Sequence, residues 1–304
     1  MSALRLLLLG SGGQLGGQLG AELARRFAQP GASATVTALS RAQLDFADAD
    51  ALRQAVRHHQ PHILLNAAAY TAVDRAESEP ELAFAVNAAA PGVLAEEMAR
   101  LGGWLLHYST DYVFDGSGTA PWRETDPTGP LNVYGASKLA GEQAIAATGA
   151  RHLIFRTSWV YAAEGRNFLH TMLRLGRERT TLSVVSDQHG APTTAEALAE
   201  ATIDLAARLA AGFAPPSGVY HMTCAGQTTW HGFASAIFAA FATRQSPPAL
   251  TPILTADYPT PARRPLNSRL DGSRLADTLQ LRLPHWQEAF QSVAAALLAR
   301  NGNP

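Results

Sequence analysis

Cysteine and lysine are almost missing from this chain, whose 304 residues include one of each, Cys224 and Lys138. A single thiol excludes an internal disulfide and a metal site built from several thiolates. The ten histidines also show no spacing typical of metal ligands. The residues themselves therefore predict no metal site. Arginine supplies the other 23 of the 24 cationic residues, so the lone lysine stands out.

Long apolar runs and an excess of either charge are also lacking. The formal net charge of -1 gives no electrostatic footprint for nucleic acid or for an anionic membrane. No stretch approaches the ~20 apolar residues that cross a bilayer. The apolar run at residues 6–9 is too short for a secretory segment. We expect a soluble, cytoplasmic protein that binds neither nucleic acid nor membranes.

Over the first 160 residues, short aliphatic runs alternate with longer amphipathic segments, as in parallel strands joined by helices. We predict strands at residues 4–9, 35–39, 63–65, 104–109 and 152–156. Helices are predicted at residues 14–27 and 134–146, and from a capping box at 78–81 toward residue 101. Later helices at 167–177, 196–209 and 286–298 are separated by loops and by a proline-rich segment at 247–265.

This rhythm predicts an α/β protein. Its main part is a Rossmann-type doubly wound parallel sheet, followed by a smaller, less regular C-terminal α/β substrate domain. We assign residues 1–161 to an NAD(P)-binding Rossmann domain, to which residues 187–221 return. Residues 162–186 and 222–304 then form the substrate domain.

A glycine-rich loop, Gly10-Ser-Gly-Gly13-Gln-Leu-Gly16, follows the first predicted strand and opens the first helix. Small residues let the backbone approach a pyrophosphate, and the helix N-terminus offers free N–H groups and partial positive charge. The alternative is a tight turn that needs glycine for backbone reasons alone. The position of the loop between strand and helix favours a dinucleotide site.

The end of the second strand bears on the choice of cofactor. An acidic residue about 20 residues past the loop selects NAD, whereas an arginine there accommodates the 2′-phosphate of NADP. The chain has Ser40 and Arg41 at this point. NADPH is therefore the better prediction, NADH stays possible, and Arg41 could instead be a solvated loop charge.

Lys138 lies four residues after Tyr134, so a phenol and an ammonium occupy one face of a predicted helix. A randomly placed lysine would meet this spacing in roughly 2 per cent of cases. Thr110 follows the fourth strand, at the edge where open parallel sheets bind ligands. We predict that Tyr134 gives a proton to a carbonyl oxygen, that Lys138 lowers the pKa of the phenol, and that Thr110 orients the same oxygen. Alone, Tyr134 and Lys138 could be surface residues, but the glycine loop in the same chain favours catalysis.

These motifs together resemble the extended short-chain dehydrogenase/reductases. Longer strings are similar to the dTDP-4-dehydrorhamnose reductases, from the glycine loop to about residue 286. The strings are Asn66-Ala-Ala-Ala-Tyr-Thr-Ala-Val-Asp74, Tyr108-Ser-Thr-Asp-Tyr-Val-Phe114, Leu131-Asn-Val-Tyr-Gly135, Arg156-Thr-Ser-Trp-Val-Tyr161, Ser186-Asp-Gln-His-Gly-Ala-Pro-Thr193 and Arg264-Pro-Leu-Asn-Ser-Arg-Leu-Asp271.

The resemblance implies reduction of the 4-keto group of dTDP-4-dehydrorhamnose to dTDP-L-rhamnose, for bacterial surface polysaccharide. It implies a catalytic triad of Thr110, Tyr134 and Lys138. The cofactor contacts that it implies are Gly13, Gln14, Leu15, Asp45, Phe46, Ala67, Ala68 and Ala69. The implied contacts to the sugar nucleotide are Thr110, Asp111 and Trp159. Lys138 is also expected to hold the nicotinamide ribose.

The second half of the chain offers groups for a nucleotide diphosphate. Arg264 and Arg269, with Arg263 nearby, carry guanidinium groups that bind phosphate oxygens bidentately. Asn167 and Phe168 supply an amide and an aromatic face. Alternatively, the arginines form a solvated loop and Phe168 is a core residue.

One position departs from the family pattern. Some members bind magnesium at a dimer interface through glutamates, and Gln18 stands where one of them is expected, with Glu196 and Glu288 further along. A neutral amide is a weaker ligand for a hard cation than a carboxylate. Magnesium therefore stays uncertain, and both a monomer and a homodimer remain open.

Two other functions compete with the reductase. A sugar-nucleotide epimerase or dehydratase uses the same scaffold but recycles its bound cofactor. A non-catalytic regulatory subunit of a synthetase keeps the fold but need not keep the acid-base pair. The complete set of Thr110, Tyr134 and Lys138 favours the reductase.

Overall fold

The computed structural model describes residues 3–27 and 34–300, so the outer ends of the two assigned domains, residues 1 and 304, lie outside it. The strands are β1 (Leu4–Leu9), β2 (Ala34–Leu39), β3 (Ile63–Asn66), β4 (Trp104–Thr110), β5 (Arg151–Thr157), β6 (Val160–Tyr161), β7 (Thr181–Val185), β8 (His189–Gly190), β9 (Thr193–Thr194), β10 (Gly218–His221), β11 (Thr228–Thr229) and β12 (Ala249–Ile253). The α-helices are α1 (Gln14–Phe27), α2 (Ala49–His59), α3 (Val73–Ala76), α4 (Pro80–Phe84), α5 (Ala90–Leu101), α6 (Val133–Ala147), α7 (Phe168–Glu178), α8 (Ala195–Ala210), α9 (Trp230–Ala240) and α10 (Trp286–Arg300).

Six parallel strands of the described chain form the main sheet, in the order β2-β1-β3-β4-β5-β10. The chain moves from β1 to β2 on one side and then returns to place β3 on the other. Such a reversal opens a crevice beyond the carboxyl ends of the strands, where ligands bind in open α/β sheets. The predicted doubly wound α/β fold is confirmed.

Apolar side chains of β1 alternate between the two faces of the sheet. Leu6 and Leu8 join one buried cluster, which α1 and α8 complete. Leu7 and Leu9 join a second cluster with apolar residues of α2, α5 and α6. Helices therefore cover both faces, as a parallel sheet requires. The central strands read as continuous aliphatic runs for the same reason.

The helix predicted from the capping box differs from expectation at its start. It begins at Pro80, and the N-cap residue Glu79 makes no side-chain cap hydrogen bond. The Ser78 hydroxyl instead donates to the carbonyl of Arg75, 3.0 Å away, where it closes the turn after α3. The capping box was therefore wrong. Residues Ala85–Ala89 form a π-helical turn between α4 and α5.

Outside the main sheet, the described chain contains three short two-stranded pieces. β7 pairs in parallel with β12, β8 pairs with β11 in antiparallel fashion, and β6 pairs in parallel with β9. β12 lies inside the proline-rich segment and tolerates Pro252 because it pairs only with β7. Among the described residues, no helix combines the length and the apolar character required to cross a membrane.

Candidate active site

The candidate site lies at the carboxyl edge of the sheet. The loops after β1, β3, β4 and β5 all emerge there because their strands are parallel and adjacent. The glycine loop, Ala67 and Trp159 lie in the loops after β1, β3 and β5, and Thr110 is the last residue of β4. The sequence-predicted residues of four separate segments therefore meet along one edge.

The glycine loop forms a narrow turn against the start of the β3 loop. Gly10 has a φ of 83°, and a Cβ atom there would lie 2.6 Å from the backbone nitrogen of Ala68. A Cβ atom on Gly16 would overlap the carbonyl oxygen of Gly10. Both positions thus require glycine, and Gly13 and the helix N-terminus of α1 face the same turn. This cradle fits the pyrophosphate of a dinucleotide.

Gln14 and Asn167 connect the glycine loop to the second half of the chain. The Asn167 amide nitrogen donates to Gln14 Oε1 and to the Ala162 carbonyl, each at 2.8 Å. Its amide oxygen caps α7 by accepting from the His170 N–H at 3.1 Å. Asn167, expected beside the substrate, thus lies at the cofactor loop with its amide engaged by protein groups. Leu15 is half-buried against the core.

The end of β2 adjoins the glycine loop, because the N–H groups of Gly10 and Ser11 both donate to the Leu39 carbonyl. The Ser40 hydroxyl donates to Gln43 Oε1 at 2.9 Å, and Arg41 is exposed beside it. This places an exposed guanidinium beside the end of β2.

Asp45 and Phe46 follow β2, and three alanines, residues 67–69, follow β3. Asp45 is exposed and Phe46 is buried, 5% accessible. Residues 67–69 are half-buried; the Ala67 N–H donates to the Leu9 carbonyl at 3.0 Å, and the Ala68 N–H to Asn66 Oδ1 at 3.2 Å. Small side chains there leave the backbone open to a ligand.

Tyr134 is placed by the cap of its helix. The Asn132 side chain accepts from the Gly135 N–H at 2.8 Å and begins α6 beside the end of β4. Tyr134 then lies in the first turn, where Thr110 is its hydrogen-bonding neighbour. Burial raises the pKa of Tyr134 to about 12, although Thr110 acts to lower it. The phenol is therefore protonated at neutral pH.

Lys138 is buried, only 2% accessible, and points toward β4. Its Nζ donates to the carbonyl of Tyr108 at 2.5 Å and lies 3.3 Å from His107 Nε2. Burial lowers the pKa of Lys138 to about 8, against the charge of Glu142, which raises it. The predicted lowering of the Tyr134 pKa by Lys138 is not seen, because the ammonium faces the strand and desolvation of the phenol dominates.

Asp111 adds a buried carboxyl next to Thr110 and Tyr134. It is 2% accessible and accepts a hydrogen bond from the Thr110 hydroxyl at 3.1 Å. Burial raises its pKa to about 7, although Ser268 and Thr110 act to lower it. Its Oδ2 is fully buried, and no described residue meets hydrogen-bonding geometry with it.

Trp159 is held in an unusual backbone conformation, with a φ of 50°. Its indole stacks on that of Trp230, with ring centroids 3.7 Å apart, and lies against Gly190, where a Cβ atom would come within 2.6 Å of the ring. Phe168 packs on the other ring, at 4.6 Å from Trp230. Sequence reasoning missed Trp230, which no motif singled out.

The arginines after β12 are partly engaged by protein. Arg264 Nη2 donates to Asp74 Oδ2 at 2.8 Å, whereas Nη1 has no partner among the described residues. Arg269 donates to Asn267 and Gln227. Arg263 and Arg264 line a cavity of about 610 Å³ together with Asp115, Ser117, Asp187 and Thr255.

The buried polar residues behind the site were also missed as functional candidates. Glu142 pairs with Arg156 at 2.6 Å and accepts from the Ser109 hydroxyl at 2.5 Å. His107 contacts both Asn66 and Lys138. A polar residue within an otherwise apolar strand is the pattern that could have revealed His107 and Arg156.

The three candidate magnesium positions are spread over separate helices. Gln18 is half-buried on α1, Glu288 is exposed on α10, and Glu196 on α8 accepts from the Ala163 N–H. In the described part of the chain, no three His, Cys, Asp or Glu residues group as metal ligands.

Comparison with known proteins adds the family. The family described as RmlD substrate binding domain matches residues 4–299. This chain belongs to the RmlD family. The match covers the cofactor crevice and the second half alike, so the resemblance found in the sequence motifs is confirmed.

Relatives of this RmlD-family chain align over almost its entire length. A Burkholderia thailandensis dTDP-4-dehydrorhamnose reductase is 47% identical over 98% of this chain and 100% of its own. A Clostridium acetobutylicum dTDP-4-dehydrorhamnose reductase has a TM-score of 0.88 and 32% identity, covering 97% of this chain and 100% of that one. A Bacillus anthracis dTDP-4-dehydrorhamnose reductase in complex with NADP has a TM-score of 0.85 and 34% identity, covering 99% and 100%.

Proposed function

We propose that this chain is an oxidoreductase that uses NADPH to reduce the 4-keto group of dTDP-4-dehydrorhamnose, giving dTDP-L-rhamnose. The observation that carries the proposal is the half-buried phenol of Tyr134, protonated at neutral pH and beside Thr110, at the edge of the sheet that also holds the glycine cradle. The Burkholderia thailandensis relative, which bears the name of this activity, supports it.

The proposed chemistry divides among few groups. Bound NADPH supplies a hydride to the carbonyl carbon of the sugar. Tyr134 holds the proton that the carbonyl oxygen needs, because its pKa of about 12 keeps the phenol protonated at neutral pH. Thr110 lies beside it and orients the same oxygen. Lys138, charged below its pKa of about 8, lies one turn after Tyr134 on α6 and supplies the cation of the proposed pair.

We further propose the cofactor contacts. Gly10, Gly13 and Gly16 with the α1 N-terminus hold the pyrophosphate, aided by Gln14 and Leu15. Residues 67–69 line the cofactor groove past β3, Asp45 and Phe46 border the adenine side, and Ser40 and Arg41 take the 2′-phosphate. The exposed guanidinium of Arg41 supports NADPH over NADH, since a cation compensates that phosphate.

Substrate contacts are proposed on the opposite wall of the crevice. Asp111 offers its unpartnered Oδ2 to a sugar hydroxyl, and Trp159 offers an indole face. Arg264 offers Nη1 to the diphosphate, and Arg269 follows in the same loop. Asn167 borders the proposed substrate site and donates a hydrogen bond to Gln14 Oε1. Residues 1–161 with 187–221 serve the cofactor, and residues 162–186 with 222–304 serve the sugar nucleotide.

The test is cofactor consumption by the purified chain. We expect NADPH absorbance to fall in a one-to-one ratio with added dTDP-4-dehydrorhamnose, and more slowly with NADH. An epimerase or dehydratase would convert sugar nucleotides without net consumption of NADPH. A regulatory subunit would show neither change. No loss of absorbance with this substrate would overturn the proposal.

A further inference from the structure

His107 lies at the centre of a hydrogen-bonded chain between the cofactor groove and Lys138. It is fully buried in the middle of β4. Its Nδ1 lies 3.0 Å from the Asn66 amide nitrogen, and its Nε2 lies 3.3 Å from Lys138 Nζ. Asn66 and His107 stand outside the acid-base set of Tyr134, Lys138 and Thr110, and His107 contacts that set through Lys138.

The backbone after β3 determines which nitrogen of His107 carries the proton. The Ala68 N–H donates to Asn66 Oδ1 at 3.2 Å, so the Asn66 amide must present its nitrogen to His107. An amide nitrogen only donates, so His107 Nδ1 must accept. In the neutral ring the proton is then on Nε2.

That proton points at Lys138. An ammonium has three donors and no lone pair, whereas an amine has one lone pair that can accept. Lys138 Nζ already donates to the Tyr108 carbonyl. The arrangement is therefore satisfied when Nζ donates to Tyr108 and accepts from His107, and it sets two donors face to face when Nζ is charged.

The charge and the pKa of Lys138 also depend on the other titratable groups around it. Glu142, one turn later on α6, raises the pKa of Lys138, and Arg156 of β5 pairs with that carboxylate. Tyr134 on the same helix is neutral, since burial raises its pKa. Burial and the charge of Lys138 hold the pKa of His107 well below its usual value, so the ring is neutral.

We propose that His107 is a positioning residue whose Nε2–H holds Lys138 Nζ at the Tyr108 carbonyl and favours the amine over the ammonium. Given the reductase function proposed above, His107 thereby sets the pH at which Lys138 loses the charge that supports the Tyr134 phenolate. The hydrogen bonds that join Ala68, Asn66, His107 and Lys138 also couple the protonation of Lys138 to the loop after β3.

The lone lysine permits a direct test without substrate. In the full chain, lysine enriched in carbon-13 at Cε gives a single side-chain resonance, from Lys138. We expect it to titrate near pH 8 in the wild type. His107→Gln, which can turn a carbonyl oxygen toward Nζ, should raise the midpoint by about one pH unit. An unchanged midpoint in this variant would overturn the proposal.

His152→Gln is the matched control, because His152 is also buried in a strand of the main sheet but bonds to the Ala150 carbonyl. It should leave the Lys138 midpoint unchanged, and an equal shift there would overturn the proposal. If His107→Gln does not fold, the tautomer of His107 can be read from spectra of the wild type labelled with nitrogen-15 histidine. They should show Nε2 protonated and Nδ1 bare in the ring that contacts the labelled lysine, and the reverse tautomer contradicts the inference.

The activity measurement separates this inference from the proposed function. In a working reductase, the alkaline fall of kcat should move upward in His107→Gln together with the Lys138 midpoint, whereas a purely structural role would lower kcat at every pH. A chain that does not reduce the sugar nucleotide but shows the predicted titration would overturn the function and leave the role of His107 in place.

Discussion

At the scale of single residues, the site depends on burial. Tyr134, Lys138 and Asp111 lie within two adjoining segments, the end of β4 and the first turns of α6. Burial favours the neutral form of each, so it raises the pKa values of Tyr134 and Asp111 and lowers that of Lys138. A phenol that stays protonated at neutral pH is suited to donate a proton.

Replacing Tyr134 with phenylalanine should lower kcat by ~10²–10⁴-fold, the range typical for loss of a general acid. The ring remains, so the packing of α6 and the binding of NADPH should change little. Steady-state kinetics with a fluorescence titration of NADPH measures both. Tyr220→Phe is the control, because Tyr220 lies on β10 and its hydroxyl donates to the Pro216 carbonyl. Near-normal turnover in Tyr134→Phe would remove this residue from its role.

Asp111 predicts a stability change with pH of defined sign. Its pKa rises from 3.8 in the unfolded chain to about 7 in the fold, so the folded state keeps a proton that the unfolded state loses. This contribution to stability is complete below about pH 4 and is lost as pH rises through about 7. Between about pH 4 and about pH 8, the free energy of unfolding should therefore fall by a few kcal/mol more in the wild type than in Asp111→Asn.

Urea unfolding at about pH 4 and about pH 8 measures the difference. Asp115→Asn is the control, because Asp115 is exposed and a hydrogen bond from the Ser117 N–H lowers its pKa. In this variant the free energy of unfolding should fall between the two pH values as much as it does in the wild type. Identical pH dependence in the wild type and Asp111→Asn would contradict the assignment.

At the scale of elements, Glu142 fixes α6 against two strands. It bonds to Ser109 of β4 and pairs with Arg156 of β5, and both charged side chains are about 5% accessible. Glu142→Gln leaves the Arg156 charge buried and unpaired, so we expect the free energy of unfolding to drop by about 3–5 kcal/mol. Urea unfolding measures the loss.

Two comparisons sharpen that experiment. Glu142→Leu combined with Arg156→Met should lose less stability than Glu142→Gln, because no charge is left buried. Glu178→Gln breaks the exposed pair with Arg174 and should cost at most about 1 kcal/mol. A loss as small in Glu142→Gln as in Glu178→Gln would show that the buried pair does not hold α6 in place.

Elements with a strong local pattern could be predicted from sequence, and those made by distant pairing could not. Strand β1 and helix α1 occur at the predicted bounds, since an aliphatic run and a glycine loop specify them locally. β7, β10 and β12 were not predicted, because each depends on a partner far along the chain. The capping box failed because α4 begins at Pro80, which makes Glu79 and not Ser78 the N-cap residue, and the Ser78 hydroxyl donates to the Arg75 carbonyl.

At the scale of the whole molecule, the sequence placed the candidate residues at one edge, but it could not supply their partners. The order of the parallel strands brings Gly10, Ala67 and Thr110 together, and this does not depend on contacts between their side chains. The stack of Trp159 on Trp230 and the direction of Lys138 toward β4 depend on packing between segments distant in sequence. No local motif carries that information, so the burial, the contacts and the pKa values of the site residues can be read only from the fold.

The central claim is that one hydride passes from cofactor to sugar in each turnover. The most direct measurement supplies the chain with NADPH carrying deuterium at both C4 positions of the nicotinamide, together with dTDP-4-dehydrorhamnose. We predict dTDP-L-rhamnose with one deuterium at sugar C4 and one NADPH consumed per product, read by mass spectrometry and NMR. A product without deuterium, or conversion without loss of NADPH, would contradict the account.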